Sequence, residues 1–251
     1  MSPDIVVHST ARPLIKKLCE ILNSLQKIKT SEEAKSAFRS FIDVRRQYTP
    51  QYQGTVSADS IIEIDSLAQI ITAFVAENSE GGKRAQATVS GLMDLFAGPD
   101  RVVTSRINDP DRNLPGDVGI RAANDSSSWA RIFEVRDKPI ANSDIYHFAS
   151  KLIAAGVEKA AIVAVSNQQG EIDVTEANKW ALERGLELSL FVGWDAFVKE
   201  VIFWSERPQI EAIRVVVSFI HTRLIEMEVS EEGAELWIAY VKGKIGDDKI
   251  R

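Results

Sequence analysis

Two stretches of sequence decide the fold: Leu114-Pro115-Gly116-Asp117-Val118-Gly119-Ile120 and Arg131-Ile132-Phe133-Glu134-Val135-Arg136-Asp137-Lys138. Between them lies a cluster of turn formers, Asn124-Asp125-Ser126-Ser127-Ser128, and the alternating segments on either side predict a β-hairpin. Because successive strand residues point to opposite faces, one face of the hairpin enters the core. The predicted core residues are Val118, Ile120, Phe133 and Val135. The opposite face then carries Asp117 and Glu134 together, with Arg136 and Lys138 beside them.

Two carboxylates and two cations on one sheet face suit the chemistry of a hard divalent cation. Mg²⁺ binds through one or two carboxylates together with waters and substrate phosphates. It lowers the pKa of bound water and neutralises charge on a phosphoryl oxygen. A nearby cation orients the attacking water or stabilises the developing negative charge. Charge pairs across strands are also common on half-exposed hairpins, so a surface salt-bridge ladder is the structural alternative.

The order of these residues resembles a known nuclease signature. Pro115-Gly116-Asp117 followed by Glu134-Val135-Arg136 resembles the PD-(D/E)xK pattern, in which a strand-end Asp and a Glu-x-Lys on the next strand hold Mg²⁺. A wider run, about residues 75 to 205, resembles type II restriction endonucleases of the SacI kind. It includes Asn78-Ser79-Glu80-Gly81-Gly82-Lys83-Arg84-Ala85-Gln86 and Asn108-Asp109-Pro110-Asp111-Arg112. The resemblance implies an α/β fold with a mixed central sheet of the restriction-endonuclease-like type, flanked by helices.

The resemblance also implies a role for each matching residue. Asp117 and Glu134 would hold the metal, and Glu80 would assist as an outer ligand. Arg136 occupies the position where the family has lysine, and the nearest lysine is Lys138, two residues later on the same predicted face. Because a guanidinium does not act as a base at ordinary pH, Arg136 and Lys138 are alternative catalytic cations.

Polar residues near the predicted site are candidates for contact with DNA. Two glycines break a helix before Lys83 and Arg84, and the resemblance places these cations near phosphate, although a tight interhelical turn is the other explanation. Amides after a buried strand suit adenine edges in the major groove, and they suit a turn as well. The full set of candidates is Lys83, Arg84, Asp111, Arg112, Asn113, Asn167, Gln168 and Gln169.

The remaining pattern predicts helices around a mixed sheet. A strand, a helix and a strand with short links, at 160–165, 175–184 and 187–192, indicate a parallel crossover joined to the hairpin. Helices are also predicted at 61–78, 85–96, 142–155, 194–204, 210–229 and 232–241, two more between 11 and 47, and a strand at 101–107. The predicted organisation is an N-terminal helical segment (1–55), a nuclease core (56–205) and a C-terminal helical segment (206–251), with one single domain as the alternative.

Composition excludes several classes of protein. The chain is 45% hydrophobic and 26% charged, as in ordinary globular proteins, and its net charge of -6 gives no overall basic field for nucleic acid. A nuclease would therefore have to concentrate its cations locally. The single Cys19 excludes a disulfide framework and a cysteine-rich zinc site, and the three histidines are scattered. Nothing near the start is typical of a signal peptide and no apolar run reaches membrane-spanning length, so we expect a cytoplasmic protein.

Together these features favour a Mg²⁺-dependent type II restriction endonuclease that cuts double-stranded DNA at a short palindromic sequence. A two-fold symmetric target predicts a homodimer, and the host is expected to encode a cognate methyltransferase. The apolar helical stripes near the termini either complete the core or, alternatively, form the homodimer interface. Another PD-(D/E)xK nuclease, in repair or in cleavage of branched DNA, is the first alternative. A catalytically inactive DNA-binding defence protein is the second, because Arg136 replaces lysine.

Overall fold

The computed structural model describes residues 12–48, 62–105 and 114–243. The chain divides into two compact units, Met1–Gln51 and Tyr52–Arg251. The first unit contains helices α1 (Arg12–Leu25) and α2 (Ser31–Tyr48), which match the two predicted from apolar spacing. A reciprocal pair of hydrogen bonds begins α2: the Glu33 N–H donates to Thr30 Oγ1, and the Thr30 N–H donates to the Glu33 carboxylate.

The second unit contains a mixed five-stranded sheet, as predicted. Its strands lie in the order β1 (Val102–Thr104), β2 (Val118–Arg121), β3 (Trp129–Arg136), β4 (Lys159–Ala164) and β5 (Glu187–Val192). The first three strands pair antiparallel, and β3, β4 and β5 run parallel. Strand β1 is shorter than predicted, ending at Thr104. The predicted hairpin and the predicted parallel crossover are both present.

Helices cover both faces of this sheet. Their bounds are α3 (Ile64–Glu77), α4 (Lys83–Ala97), α5 (Asn142–Ala154), α6 (Thr175–Leu182), α7 (Trp194–Phe203), α8 (Gln209–Glu226) and α9 (Glu231–Val241). One core contains Val118, Ile120 and Phe133 with α3, α4, α7, α8 and α9. A second core contains Ile132, on the other face of β3, with side chains of α5 and α6. The alternation predicted for the hairpin is therefore observed, but its polar face is covered by α5 instead of lying on an open surface.

The apolar stripe predicted near the C-terminus completes the first core. Ile213, Val216, Val217, Ile220 and Leu224 of α8 are all buried there. This stripe is therefore not available as the homodimer interface that the sequence offered as an alternative. Among the described residues, no helix is both long and apolar enough to cross a membrane.

Helix α4 runs through the middle of the second unit and is buried from Arg84 to Asp94. It crosses α8 so closely that a Cβ added to Gly91 would lie 2.6 Å from the backbone nitrogen and Cα of Ile220. Near this crossing, the Arg223 guanidinium of α8 donates two hydrogen bonds to Asp94, of 2.7 and 2.6 Å. A bidentate pair of this kind fixes the relative rotation of the two helices.

We expect Gly91→Ala to lower the free energy of unfolding by about 1–3 kcal/mol, because the backbone of α8 cannot yield space as a flexible side chain would. The better helix propensity of alanine opposes this loss only in part. Urea unfolding of the purified protein measures the change. Gly170→Ala is the matched control, since an added Cβ there meets no atom within 4 Å. Equal stability of Gly91→Ala and wild type would contradict the close crossing.

Candidate active site

Asp117 is fixed at the edge of the sheet, immediately before β2. Its backbone N–H donates to the Phe133 carbonyl at 2.9 Å, and its Oδ2 accepts a hydrogen bond from the Val135 N–H at 2.8 Å. The carboxylate thus takes the place of a backbone carbonyl and continues the ladder between β2 and β3. Because Val118 pairs with Phe133, the antiparallel register places Asp117 opposite Glu134. The structure therefore brings together the two carboxylates that alternation assigned to one face.

The electrostatics of this pair are unfavourable. Burial, and after it the negative charge of Asp117, raises the pKa of Glu134 to about 7, while the charges of Arg136 and Lys151 act in the opposite direction. Burial also raises the pKa of Asp117, against the hydrogen bond from Val135 and the charges of Arg136 and Lys151. Only 12% of the Glu134 side chain is exposed. The site holds two close, poorly solvated carboxylates, and a divalent cation would relieve their repulsion.

The backbone around Asp117 is held from below by α4. The buried amide of Gln86 donates to the Asp117 carbonyl at 3.0 Å and to the Ser105 carbonyl at 2.8 Å. Gly116 is required by close packing, since a Cβ there would lie 2.4 Å from Ile132 Cγ2 and 2.9 Å from the Phe133 carbonyl oxygen. These contacts explain why glycine precedes the aspartate, and they make Gln86 a supporting residue that the sequence analysis missed.

The two alternative cations occupy different surroundings. Arg136 ends β3, its guanidinium donates a hydrogen bond to Glu134, and 48% of its side chain is exposed. Lys138 lies beyond the strand, in a bend formed with Asp137. Because β3 ends at Arg136, alternation along the strand does not extend to Lys138, and its place on the face of Glu134 stays a prediction.

Lys151 is a cation that the sequence analysis did not consider. It lies on α5, and its charge lowers the pKa of both Asp117 and Glu134. The signal was present in the sequence: a helix predicted from about residue 142 to 155 had to cover the sheet, and it contains one lysine.

Glu80 and its two basic neighbours form a separate cluster, which joins the start of α4 to the start of α9. Glu80 Oε1 accepts hydrogen bonds from Arg84 Nε and Ser230 Oγ, both at 3.0 Å, and its Oε2 accepts one from the Ser230 N–H at 2.8 Å. Lys83 Nζ donates to the Glu228 carbonyl at 2.9 Å. The role of Glu80 as an outer metal ligand and that of Lys83 at phosphate stay predictions. Both Glu80 oxygens have partners within this cluster.

Arg84 has no solvent-facing guanidinium to offer to a phosphate. It is 3% exposed, donates to the Phe74 carbonyl at 3.0 Å and stacks on the Phe74 ring. The predicted contact between Arg84 and DNA is thus not supported by the geometry.

The polar loop after β4 lies at the same edge of the sheet as Arg136, because the Val165 N–H donates to the Arg136 carbonyl at 2.8 Å. In this loop Asn167 and Gln168 are exposed. Gln169 instead holds the segment before α5, accepting from the Ile140 N–H at 2.8 Å and donating to the Ile140 carbonyl. Of the two roles predicted for these amides, base contact and turn formation, the second therefore fits Gln169. Asp111, Arg112 and Asn113 lie outside the described residues.

The donor set fits a hard divalent cation that keeps several waters. Asp117 and Glu134 offer carboxylate oxygens from adjacent strands, and Mg²⁺ requires one or two carboxylates from a protein. The described residues contain no group of three or more His, Cys, Asp or Glu side chains that would enclose a metal completely. An open site of this kind leaves coordination positions for water and for a phosphate.

The chain is similar in sequence to known restriction endonucleases. Residues 59–171 match the family model of the SacI restriction endonuclease C-terminal domain. The type II restriction enzyme SacI of Streptomyces achromogenes is 25% identical over 234 residues, which cover 92% of this chain and 64% of that enzyme. The chain resembles SacI-type restriction endonucleases. The resemblance predicted from the sequence is thereby confirmed, although the chain spans less than two thirds of the length of this relative.

The matched segment of the SacI-like chain contains the candidate site. It extends from before α3 to the loop after β4, and so includes Gln86, Asp117, Glu134, Arg136 and Lys151. All five of these residues therefore lie within the segment that matches the family model. The family model does not extend to α1, α2, α8 and α9.

We expect Glu134→Gln to stabilise the metal-free protein at pH 8 and to have little effect at pH 4.5. A carboxyl whose pKa is raised on folding destabilises the fold once it ionises, so the penalty is absent below the ordinary value of 4.5 and complete above about 7. Removing it should add on the order of 2 kcal/mol at pH 8. Thermal unfolding in a chelator at both pH values measures the difference. The control is Glu171→Gln, at an exposed position. Equal effects of Glu134→Gln at the two pH values would contradict the raised pKa of Glu134.

Proposed function

We propose that this chain is a type II restriction endonuclease that hydrolyses phosphodiester bonds in double-stranded DNA with the help of Mg²⁺. The observation that carries the proposal is the pairing of Asp117 with Glu134 across adjacent strands, inside the segment that matches the SacI C-terminal domain. A half-buried pair of like charges lowers stability unless a cation is bound, so its presence favours a functional explanation. The surface salt-bridge ladder does not account for this burial.

In the proposed site, Asp117 and Glu134 hold the metal. When bound, Mg²⁺ supplies an activated water and neutralises charge on the phosphoryl oxygens. The protein contributes position: the Val135 N–H holds one oxygen of Asp117, which leaves the other for a ligand. Gln86 keeps the backbone of Asp117 from moving when substrate binds.

Arg136 contributes fixed positive charge to this site. A guanidinium has five N–H donors, so Arg136 can retain its hydrogen bond to Glu134 and still donate to a phosphate oxygen. Its half-exposed side chain allows this contact. Since Arg136 remains protonated, its role is to stabilise the negative charge that develops on the phosphate, and not to remove a proton from water.

Contact with DNA is proposed for the edge of the sheet where β3 and β4 end. Arg136 and Lys138 provide local positive charge there despite the net charge of -6. Asn167 and Gln168 are exposed beside them and would read base edges in the major groove. The undescribed loop that contains Asp111, Arg112 and Asn113 precedes Asp117 closely in sequence and is proposed to contribute further contacts.

A short palindromic target would be cut by a homodimer, each subunit cleaving one strand. We further propose that the enzyme acts in the cytoplasm, and that a cognate methyltransferase protects the host DNA. Large apolar side chains exposed on α1 and α2 are compatible with self-association. They are Leu18, Ile21, Leu22, Leu25, Phe38, Phe41 and Val44.

One observation favours a second candidate, a DNA-binding protein without nuclease activity. Arg136 stands where the resembled family has lysine, and loss of a catalytic lysine would inactivate a nuclease. Incubation of sequenced plasmid DNA with the purified protein and Mg²⁺ separates the two. Discrete fragments with mapped ends support a restriction endonuclease. Cleavage confined to branched or damaged DNA would instead favour a repair nuclease, and binding without cleavage would favour the inactive protein.

Asp117→Asn should abolish Mg²⁺-dependent cleavage while the protein remains folded. The amide keeps an oxygen for the Val135 N–H but removes the negative charge that a metal requires. Cleavage is measured at a single turnover, and DNA affinity is measured in Ca²⁺ by fluorescence anisotropy. The control is Asp100→Asn, at an exposed position just before β1. Strong residual cutting by folded Asp117→Asn would exclude Asp117 as a metal ligand.

Light scattering of the purified protein should give twice the chain mass of 27.8 kDa. Symmetric cutting of both strands by a preformed dimer requires this mass before DNA is added. The measurement is repeated with an oligonucleotide duplex in the absence of divalent metal, so that the DNA is not cut. The two measurements together distinguish a preformed dimer from one that assembles on DNA. A monomer mass under both conditions would contradict the proposed dimer.

A further inference from the structure

We infer that Lys151, on the helix that covers the sheet, supplies the lysine of the catalytic site and acts on the scissile phosphate as a fixed positive charge. This inference rests on the proposed nuclease function. Arg136 stands where the resembled family has lysine, and Lys151 would supply that lysine from a helix instead of from the strand.

The first argument is the position of α5 on the sheet. Ile132 and Glu134 alternate onto the same face of β3, and Ile132 is completely buried there. Its cluster includes Ile145, Phe148 and Leu152, the buried stripe of α5. Helix α5 therefore packs on the face of the sheet that carries Glu134.

The second argument is the position of Lys151 on α5. It precedes the buried Leu152 and follows the buried Phe148 by three residues, which places it at the margin of the stripe. Its side chain is exposed. Side chains on a helix lean towards its N-terminus, and the N-terminus of α5 follows the end of β3. A lean of this kind is towards the end of β3, which carries Glu134.

The electrostatic effect of Lys151 on the two carboxylates also supports its position beside them. Lys151 acts on both carboxyls of the pair, and Arg136 is the other cation that acts on both. Besides the two carboxylates, the negative charge of Asp137 acts on Asp117. The two cations that oppose these charges come from different elements, Arg136 from the strand and Lys151 from the helix. A phosphate that approaches the carboxylates from the open edge would lie within reach of both cations.

The other basic residues proposed for the site are less suitable. Arg136 supplies a guanidinium from the strand and can act beside Lys151, but it does not supply a lysine. Lys138 lies in the bend after the strand. Lys83 is bonded to the carbonyl of Glu228, next to the start of α9. Lys151 is exposed on a rigid helix and acts on both carboxylates, so it can meet a substrate without giving up a structural contact that we observe.

The test compares Lys151→Gln and Lys151→Arg with wild type in single-turnover cleavage of a plasmid that the wild type cuts. We expect Lys151→Gln to slow cleavage by about 100-fold or more, in the range of lost charge stabilisation at other active sites. Lys151→Arg should restore part of the rate, since it keeps the charge. Affinity for DNA in Ca²⁺ and thermal stability should change little. Lys179→Gln, which removes an exposed lysine from the neighbouring α6, is the matched control.

Chemical restoration of the side chain provides a second test that a structural defect would not pass. The chain contains a single cysteine, Cys19, so Lys151→Cys in a Cys19→Ser background can be alkylated with bromoethylamine at one site. The product has a lysine-like ammonium, and we expect cleavage to return. Cys19→Ser alone, treated identically, shows whether the reagent affects other groups.

The outcomes separate this inference from the proposed function. Wild-type protein that does not cleave any DNA would overturn the nuclease proposal and the inference with it. Wild-type cleavage that survives in Lys151→Gln at the rate of Lys179→Gln would overturn the inference alone. A loss in Lys151→Gln that neither arginine nor the alkylated cysteine restores would also overturn it, because the defect would then not be one of charge.

Discussion

The burial of helix α4 is the constraint on which the second unit depends. From Arg84 to Asp94 this helix is enclosed on every side, although it contains arginine, glutamine, threonine, serine and aspartate. A buried polar group without a partner is costly, so each of these side chains requires one. Thr88 and Ser90 donate to carbonyls one turn earlier in the same helix. The others bind distant parts of the chain and so fix where those parts lie.

These long-range partners connect the stability of the unit to its candidate site. At one end of α4, Arg84 and Glu80 join the segment before α9, and near the other end Asp94 binds Arg223 of α8. Between them, Gln86 holds the carbonyl of Asp117. A helix clamped at both ends provides a fixed base for the Asp117 backbone. The carboxylate pair above it repels itself, and such a pair keeps its geometry only when the surrounding structure is rigid.

Local pattern predicted much of this arrangement. Strand β5 was predicted with its observed bounds, and alternation in the hairpin brought Asp117 and Glu134 to one face, because both inferences depend only on neighbouring residues and on the pleat. The same rule does not reach Lys138, since nothing in the spacing showed that the strand ends at Arg136. The contact between Glu80 and Ser230 joins residues 150 positions apart, and no local period predicts such a pair.

The crossover connection explains why a strand and a helix can both supply charge to one site. Because β3 and β4 are parallel, the chain must return from the C-terminal end of β3 to the end of the sheet where β4 begins. Helix α5 makes this return, and it lies on the face of the sheet that carries Glu134. A cation on β3 is positioned by the register of the strand, which places Arg136 two residues after Glu134. A cation on α5 is set by the rotation of the helix about its buried stripe, which Phe148 and Leu152 fix separately. The fold thus offers two independent positions from which positive charge can face the same carboxylates, and a lysine absent from the strand position can be supplied by the helix.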